Sequence, residues 1–264
     1  MKIRLLFTLI LSFCIHTSAY AGGGHTTVLI HGYLGDGSAW RPLGIVNELQ
    51  WAHWEDGGHL FPFGPVSFGP SMPQNQQRFV YTVTLPSEAP LSYQAAWLEY
   101  YLDALQHKHP NNDFILVGHS AGGVVARLTM VRSDFPIKAL ITIASPHLGT
   151  PEAEDALDLS NSPFSWIAPF LGLGTINRSE ILYAELVREF PATPLFGINR
   201  SQHPDAQYIS IIRLRDRVVP PYSQDMNNIP TLAGKSRVIT SVAPHRLIRT
   251  DGIALAALLE EIVE

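Results

Sequence analysis

The sequence predicts an α/β domain in which helices cover both faces of a mainly parallel sheet. Runs rich in β-branched and apolar residues alternate along the chain with stretches of helical spacing. These runs are apolar throughout, as in strands that are buried on both faces of a parallel sheet. Gly and Pro number 20 each, which favours many loops, but no linker or internal repeat divides the chain. A single domain is therefore expected.

The elements follow from apolar runs and their flanking breakers. Strands are expected at 26–30, 79–85, 114–117, 137–144, 208–214 and 237–242. Helices are expected from Ser38, as N-cap, to about Trp54, at 93–108 with Ser92 as N-cap, at 124–130 and at 251–263. The stretch 57–75 is rich in Gly and Pro and predicts a loop, with Phe61, Phe63 and Phe68 as packing anchors.

The central motif is Gly118-His119-Ser120-Ala121-Gly122, which lies between a strand and a helix. In a G-x-S-x-G turn of this kind, a strained backbone exposes the serine hydroxyl above the sheet. Small residues are needed two positions before and after the serine, because strand and helix nearly collide there. Such a turn could instead cradle a phosphate, but no Gly-Lys-Ser/Thr follows. Ser120 is the candidate nucleophile.

We expect the catalytic base and its orienting acid just after other parallel strands, because the carboxyl ends of these strands lie at one edge of the sheet. His245 follows the last strand, and the chain order Ser…Asp/Glu…His favours it over His147 and His203. Asp216 follows the preceding strand and would orient the base. Pairing of Asp216 with Arg215 or Arg217 is the alternative interpretation, and Asp205 and Asp225 are the other candidate acids. His119 is expected only to pack.

Two backbone amides are expected to stabilise an oxyanion. One belongs to Ala121, directly after the nucleophile, and the other to Tyr33, which follows His31-Gly32 at the end of the first strand. A plain glycine turn at Tyr33 is the alternative.

Residues 1–21 predict an export signal. A basic start, an apolar stretch and Ala19-Tyr20-Ala21 are typical of such a segment, and the apolar stretch is too short for a membrane anchor. The only cysteine, Cys14, lies within it. The mature domain, 22–264, would be periplasmic or extracellular, without disulfides or a transmembrane segment.

Net charge is −5 and charged residues make up 16%, which argues against nucleic acid as a partner. No cofactor and no metal site are expected.

The chain resembles the α/β-hydrolase superfamily and, within it, lipase-like serine esterases. The resemblance rests on His31-Gly32-Tyr33, Gly118-His119-Ser120-Ala121-Gly122-Gly123, the run from Ser145 to Pro151, Asp216 and His245. The resemblance implies the α/β-hydrolase fold with a lid or cap at about 150–190. The single-glycine loop at Gly32 is the type that the family links with medium or long acyl chains. The disulfide common in some secreted bacterial lipases is impossible here.

The segment 162–173 is unusually apolar for a surface connection, and prolines and glycines divide it into short pieces. It predicts a lid whose Trp166 and Phe170 line an acyl pocket and contact lipid, although a fixed cap is an open alternative.

A secreted, lipase-like serine carboxylic-ester hydrolase acting on a small-molecule or lipid ester is the leading hypothesis. An acyltransferase that uses the same acyl-enzyme stays open, as does a non-catalytic binding module on a hydrolase fold. An amidase or peptidase is disfavoured, because no charged specificity pocket is evident.

Overall fold

An eight-stranded sheet forms the centre of the computed structural model, which describes residues 23–61, 64–66, 77–160 and 179–264. The strands lie in the spatial order β3-β2-β4-β1-β5-β6-β7-β8. All neighbours are parallel except the antiparallel hairpin of β2 and β3. Their bounds are β1 His25–Ile30, β2 Glu55–Phe61, β3 Gly64–Val66, β4 Arg78–Val83, β5 Asp113–His119, β6 Ile137–Ile143, β7 Gln207–Arg213 and β8 Ser236–Ser241.

Eight helices lie in the described part of the chain, and those at 151–160, 180–186, 194–200 and 221–224 have no counterpart among the helices that the sequence predicts. The eight are α1 Ile45–Trp51, α2 Leu91–Lys108, α3 Ala121–Arg132, α4 Pro151–Ser160, α5 Glu180–Leu186, α6 Pro194–Arg200, α7 Pro221–Gln224 and α8 Arg249–Val263. Short 3-10 turns lie at Gly37–Trp40, Met226–Asn228 and Pro230–Leu232. Among the described helices, none is long and apolar enough to cross a bilayer.

The core lies in two layers because successive strand residues point to opposite faces of the sheet. In β5, Leu116 packs into the layer with Leu98 of α2 and Val124 of α3. Its neighbour Ile115 packs into the other layer, which contains residues of α1 and α8. These side chains are fully buried, and each buried aliphatic group stabilises the fold by roughly 1.5–3 kcal/mol. The mainly parallel, doubly covered sheet that the sequence predicts is therefore confirmed.

The long helix expected from Ser38 to Trp54 is wrong. The chain forms the 3-10 turn Gly37–Trp40 and only later α1. Gly44 interrupts the helical spacing with φ of +76°, a left-handed conformation that glycine adopts without strain. The N-cap of the 3-10 turn is Asp36, whose carboxylate accepts a hydrogen bond from the Ser38 amide at 2.6 Å.

The loop expected at 57–75 is also wrong in part, since β2 and β3 lie within it. Position 57 in β2 requires glycine, because a Cβ there would lie 2.1 Å from the Tyr81 ring of β4. Phe61 ends β2 and stacks near the His59 ring. Phe63 and Phe68 lie outside the described residues.

At the other helix starts the differences are small. The expected N-cap Ser92 lies inside α2, which begins at Leu91 after Pro90.

Candidate active site

Ser120 lies in the turn between β5 and α3, at the carboxyl edge of the sheet. Its φ of 52° and ψ of −130° place the backbone in a region that side-chain-bearing residues rarely occupy. The amide of Ser120 donates to the Ile143 carbonyl of β6 at 2.8 Å, which fixes the turn against the neighbouring strand. The expected strain is present at this residue, but the expected exposure is not. Ser120 is only 8% exposed, because the backbone at Gly32 lies against it.

Glycine is required on both sides of Ser120. A Cβ on Gly118 would lie 2.4 Å from the Gly123 Cα, and one on Gly122 would lie 2.2 Å from the His31 carbonyl oxygen. Neither backbone neighbour can move away cheaply. The small residues in the motif therefore allow β5, α3 and the loop after β1 to approach one another closely.

His245 lies in the loop between β8 and α8 and bridges Ser120 and Asp216. Its Nε2 lies 2.9 Å from the Ser120 Oγ, and its Nδ1 lies 2.7 Å from the Asp216 Oδ2. An ionised carboxylate only accepts hydrogen bonds, so Nδ1 carries the proton and Nε2 is left to accept from the serine hydroxyl. The His245 side chain is 22% exposed, whereas that of Asp216 is fully buried.

Asp216 is held in place by the loop that follows β7. Its Oδ1 accepts from the amides of Val218 at 2.8 Å and Val219 at 2.9 Å, and its Oδ2 also accepts from the Gln224 side chain at 3.2 Å. Burial raises the pKa of this carboxyl, but the hydrogen bonds from His245, Val219 and Val218 outweigh burial and hold the pKa below its ordinary value. Asp216 is therefore ionised at neutral pH and can stabilise an imidazolium.

The loop after β1 lies against the nucleophile. A Cβ on Gly32 would lie 2.7 Å from the Ser120 Cβ, so the backbone that leads to Tyr33 passes directly beside Ser120. His31 fixes this loop, since its Nδ1 donates to the Gly32 carbonyl at 2.8 Å and its Nε2 accepts from the Leu85 amide at 2.9 Å. Burial lowers the pKa of His31, which keeps the ring neutral and able to accept that amide.

Ala121 is the first residue of α3, and amides in the first turn of a helix have no acceptor within the helix. The amides of Ala121, next to Ser120, and of Tyr33, next to Gly32, therefore belong to backbone that lies beside Ser120.

The Tyr33 side chain connects the loop after β1 to α5. Its hydroxyl is hydrogen-bonded to that of Tyr183, and the two rings meet edge to face with centroids 5.4 Å apart. Glu185, on the same helix, accepts from the Leu91 amide at the start of α2 at 2.5 Å. Helix α5 is thus bound to the loop after β1, which lies against Ser120, and to the start of α2, a connection that sequence reasoning missed.

His119 does more than pack, which corrects the sequence-based expectation. Its Nε2 lies 2.8 Å from the backbone carbonyl of His245, and because a carbonyl only accepts, Nε2 carries the proton. The two imidazole rings lie 5.3 Å apart. Desolvation lowers the pKa of His119 to about 4, so its ring is neutral at neutral pH. The position of His119 beside Ser120 at a strand end was the only sequence signal for this role, because its hydrogen-bond partner, His245, lies far along the chain.

A buried ion pair also stabilises the loop between β8 and α8 that carries His245. Arg213, the last residue of β7, is bound to Asp251 in the first turn of α8, and both side chains are almost fully buried. The other carboxylate oxygen of Asp251 accepts from the Ile248 amide at 2.8 Å. Arg213 also donates to the Ser241 hydroxyl, at the end of β8, at 3.0 Å, so both ends of the loop that carries His245 are held.

The other candidate histidines and acids make contacts elsewhere. His147 is buried with Nε2 at 3.2 Å from the Thr142 hydroxyl, and burial lowers its pKa well below the ordinary value. His203 is buried too and bonds to the Thr231 hydroxyl at 3.0 Å. Asp225 accepts from the Asn227 amide at 2.8 Å and caps a 3-10 turn. The structure brings Asp216, and neither Asp225 nor Asp205, to His245.

Two predicted features fall outside the described part of the chain. Trp166 and Phe170 do so, as does the signal segment 1–21. The described ends of the expected lid are packed, since Ala153 of α4 and Leu182 and Leu186 of α5 are buried in the core. Within the described residues, no group of three or more His, Cys, Asp or Glu side chains is arranged to hold a metal ion.

Comparisons with known proteins agree with this architecture. The sequence profile described as "PGAP1-like alpha/beta domain" matches residues 21–161. No curated protein sequence matches the chain significantly.

Several solved structures resemble the chain at low identity. The lin2722 gene product of Listeria innocua has a TM-score of 0.60 at 16% identity, over 91% of this chain and 94% of that one. The lipase BlEst2 of Bacillus licheniformis, in its propeptide form, has a TM-score of 0.62 at 15% identity, over 92% of this chain and 51% of that one. The esterase PF2001 of Pyrococcus furiosus has a TM-score of 0.58 at 14% identity, over 92% and 82%. The α/β-hydrolase fold is thereby confirmed.

Proposed function

The chain belongs to the family of PGAP1-like alpha/beta domains, and on that premise we propose that it is an exported, lipase-like serine hydrolase of carboxylic esters. The observation that carries the proposal is the continuous hydrogen-bond path from the Ser120 Oγ through His245 to the buried Asp216 carboxylate. It lies at the carboxyl edge of the sheet, on a strained serine, where nucleophilic catalysis requires it.

Each side chain has one chemical role. The Ser120 Oγ attacks the ester carbonyl carbon while the Nε2 of His245 takes the hydroxyl proton. The Asp216 carboxylate accepts from Nδ1–H, which holds the ring in the required tautomer and stabilises the imidazolium. The amides of Tyr33 and Ala121 donate to the oxygen that becomes negative in the tetrahedral intermediate.

The intermediate collapses when the alkoxide leaves, and His245 donates its proton to that alkoxide. This step produces an ester between Ser120 and the acyl group. His245 then takes a proton from water as the water oxygen attacks the acyl carbon. It returns that proton to the Ser120 Oγ as the bond between this oxygen and the acyl carbon breaks, which releases a carboxylic acid and free Ser120. The hydrogen bonds that join the three side chains support catalysis over the non-catalytic binding module.

Two kinds of observation favour an ester with an apolar part. Two of the structural relatives are described as a lipase and an esterase. In this chain, aliphatic side chains are exposed at the carboxyl edge near the triad, among them Leu34 and Val242 at 61% and 67% exposure. We also propose that 162–173 forms a lid in which Trp166 and Phe170 contact the acyl chain. The export signal that the sequence predicts at 1–21 supports a periplasmic or extracellular site of action.

The test is hydrolysis of p-nitrophenyl esters of increasing acyl length, run beside an emulsified triglyceride, with Ser120→Ala as the matched control. We expect turnover that rises with acyl length and a sharp increase when monomeric substrate passes to droplets. Turnover of none of these esters, or equal turnover by Ser120→Ala, would contradict the proposal. A smooth rise of the rate through the solubility limit of the substrate would contradict the moving lid but not the hydrolase activity.

An alcohol added to the same assay separates hydrolysis from acyl transfer. We expect the free acid as the main product, whereas a new ester formed in preference to acid would identify an acyltransferase.

A further inference from the structure

Two loops beside the triad form one surface. Strands β7 and β8 are paired in parallel, so the loops at 214–218 and 242–246 leave the sheet side by side, and the Leu214 amide donates to the Ser241 carbonyl at 2.8 Å. Between them lies an open depression of about 700 Å³, lined by Leu214, Arg215, Asp216, Arg217, Val242 and Pro244. We name the two loops with this depression the arginine rim. It borders the Asp216–His245 pair directly.

The arginine rim exposes aliphatic groups to solvent. Leu214 is 52% exposed, Val218 38% and Val242 67%. A single exposed aliphatic side chain is common on a protein surface, but three in two short adjacent loops beside an active site are typical of a contact surface.

The arginine rim also carries three arginines. Arg215, Arg217 and Arg246 are exposed and form no ion pair with any residue in the described part of the chain. Other exposed arginines are paired there, such as Arg188 with Glu154 and Arg237 with Glu261.

The neighbouring acid does not neutralise them. Asp216 is buried and engaged by His245, so it offers no oxygen to the arginines. Because the chain as a whole has a net charge of −5, the positive arginine rim stands out against the overall sign. Charge of this kind attracts an anionic surface and orients the protein on it.

We propose that the arginine rim docks the protein onto an anionic lipid surface, with the guanidinium groups on lipid phosphates and the aliphatic side chains among the headgroups. A free phosphate would engage the arginines alone and would leave Leu214, Val218 and Val242 without a role. Lipid uses both features, because basic residues bind the anionic headgroups and apolar ones enter the interface. This role rests on the proposed function, since docking by the arginine rim would orient Ser120 toward the lipid esters that the hydrolase cleaves.

The test is sedimentation of the protein with vesicles of phosphatidylcholine alone or mixed with phosphatidylglycerol. Ser120→Ala is used as background, so that binding is measured without hydrolysis of the lipid. We expect binding to the mixed vesicles, weakening with added salt, and little binding to phosphatidylcholine alone. Arg215→Gln/Arg217→Gln should lower the partition coefficient by roughly thirtyfold, since each basic residue near such a surface contributes roughly fivefold.

The matched control is Arg188→Gln/Arg237→Gln, which removes the same charge from two exposed, paired arginines outside the arginine rim. It should bind within about twofold of the background protein, and thermal melting of all variants verifies that they fold. Leu214→Ser/Val242→Ser should also weaken binding, because it removes the apolar contact. Equal binding to both vesicle types, or equal loss in the control, would overturn the proposal, as would binding of inorganic phosphate without binding of vesicles. Docking is scored without turnover, so loss of the hydrolase proposal would leave this result interpretable.

Discussion

The histidines near Ser120 fall into two groups that share one edge of the sheet but have different partners. His245 is partly exposed and joins a carboxylate to a hydroxyl, so it can move a proton between substrate and solvent. His31 and His119 instead bond to backbone groups and have lowered pKa values, so they stay neutral and hold loops. The partners of an imidazole, rather than its distance from the nucleophile in sequence, distinguish a reacting group from a positioning one.

The largest effect is expected from the reacting group. Ser120→Ala and His245→Ala should each lower kcat by roughly 10⁶-fold, because loss of either the nucleophile or the base removes the same reaction path. Hydrolysis of a p-nitrophenyl ester measures the loss, and circular dichroism verifies the fold. Activity within tenfold of wild type in either variant would place the chemistry elsewhere.

A smaller loss is expected when the orienting carboxylate is changed. Asp216→Asn keeps the shape of the side chain but donates toward Nδ1 and so favours the wrong tautomer, which should cost up to about 10⁴-fold in kcat. Asp225→Asn is the matched control, since Asp225 caps a local turn and should affect kcat by less than about twofold. If Asp225→Asn were inactive and Asp216→Asn were not, the acid would be wrongly assigned.

The smallest loss is expected from the positioning group, and two variants of His119 sharpen the contrast. His119→Leu removes the hydrogen bond to the His245 carbonyl and should lower kcat by roughly 10–100-fold, because small displacements of a catalytic group are costly. His119→Gln places an amide N–H near the position of Nε2 and should recover most of that loss. Equal kcat values for the two variants would show that His119 acts by packing alone. A loss as large as that of His245→Ala would place His119 among the reacting groups.

The difference between the reacting and the positioning side chains also explains how much of the candidate site the sequence could predict. Ser120, Asp216 and His245 are readable because each follows a strand run, and parallel strands bring their carboxyl ends together whatever the details of packing. The bond from His119 to the His245 backbone depends on where a loop more than a hundred residues away is placed, and nothing in the local pattern encodes it. Gln224, which donates to Asp216, lies in a four-residue helix without any recognisable motif.

The fold was predictable where the strands are continuous apolar runs, and it was not where they are polar. Strand β2 begins with Glu55, Asp56 and two glycines, a composition that favours a loop, and it forms because β4 supplies a parallel edge for its backbone. The helix expected after Ser38 fails for a local reason, the left-handed backbone of Gly44, which helical spacing of the apolar residues does not reveal. Tertiary pairing and single-residue conformation thus account for the two main errors.

The central claim is that Ser120 is a nucleophile activated by His245, and covalent labelling tests it most directly. The protein is treated with a fluorophosphonate, digested and analysed by mass spectrometry, with His245→Ala as the matched control. We expect one phosphonate adduct per chain, on the peptide that contains Ser120, and little or none in the control, since an unactivated serine reacts slowly. An unlabelled protein, or an adduct on another residue with Ser120 unmodified, would contradict the account.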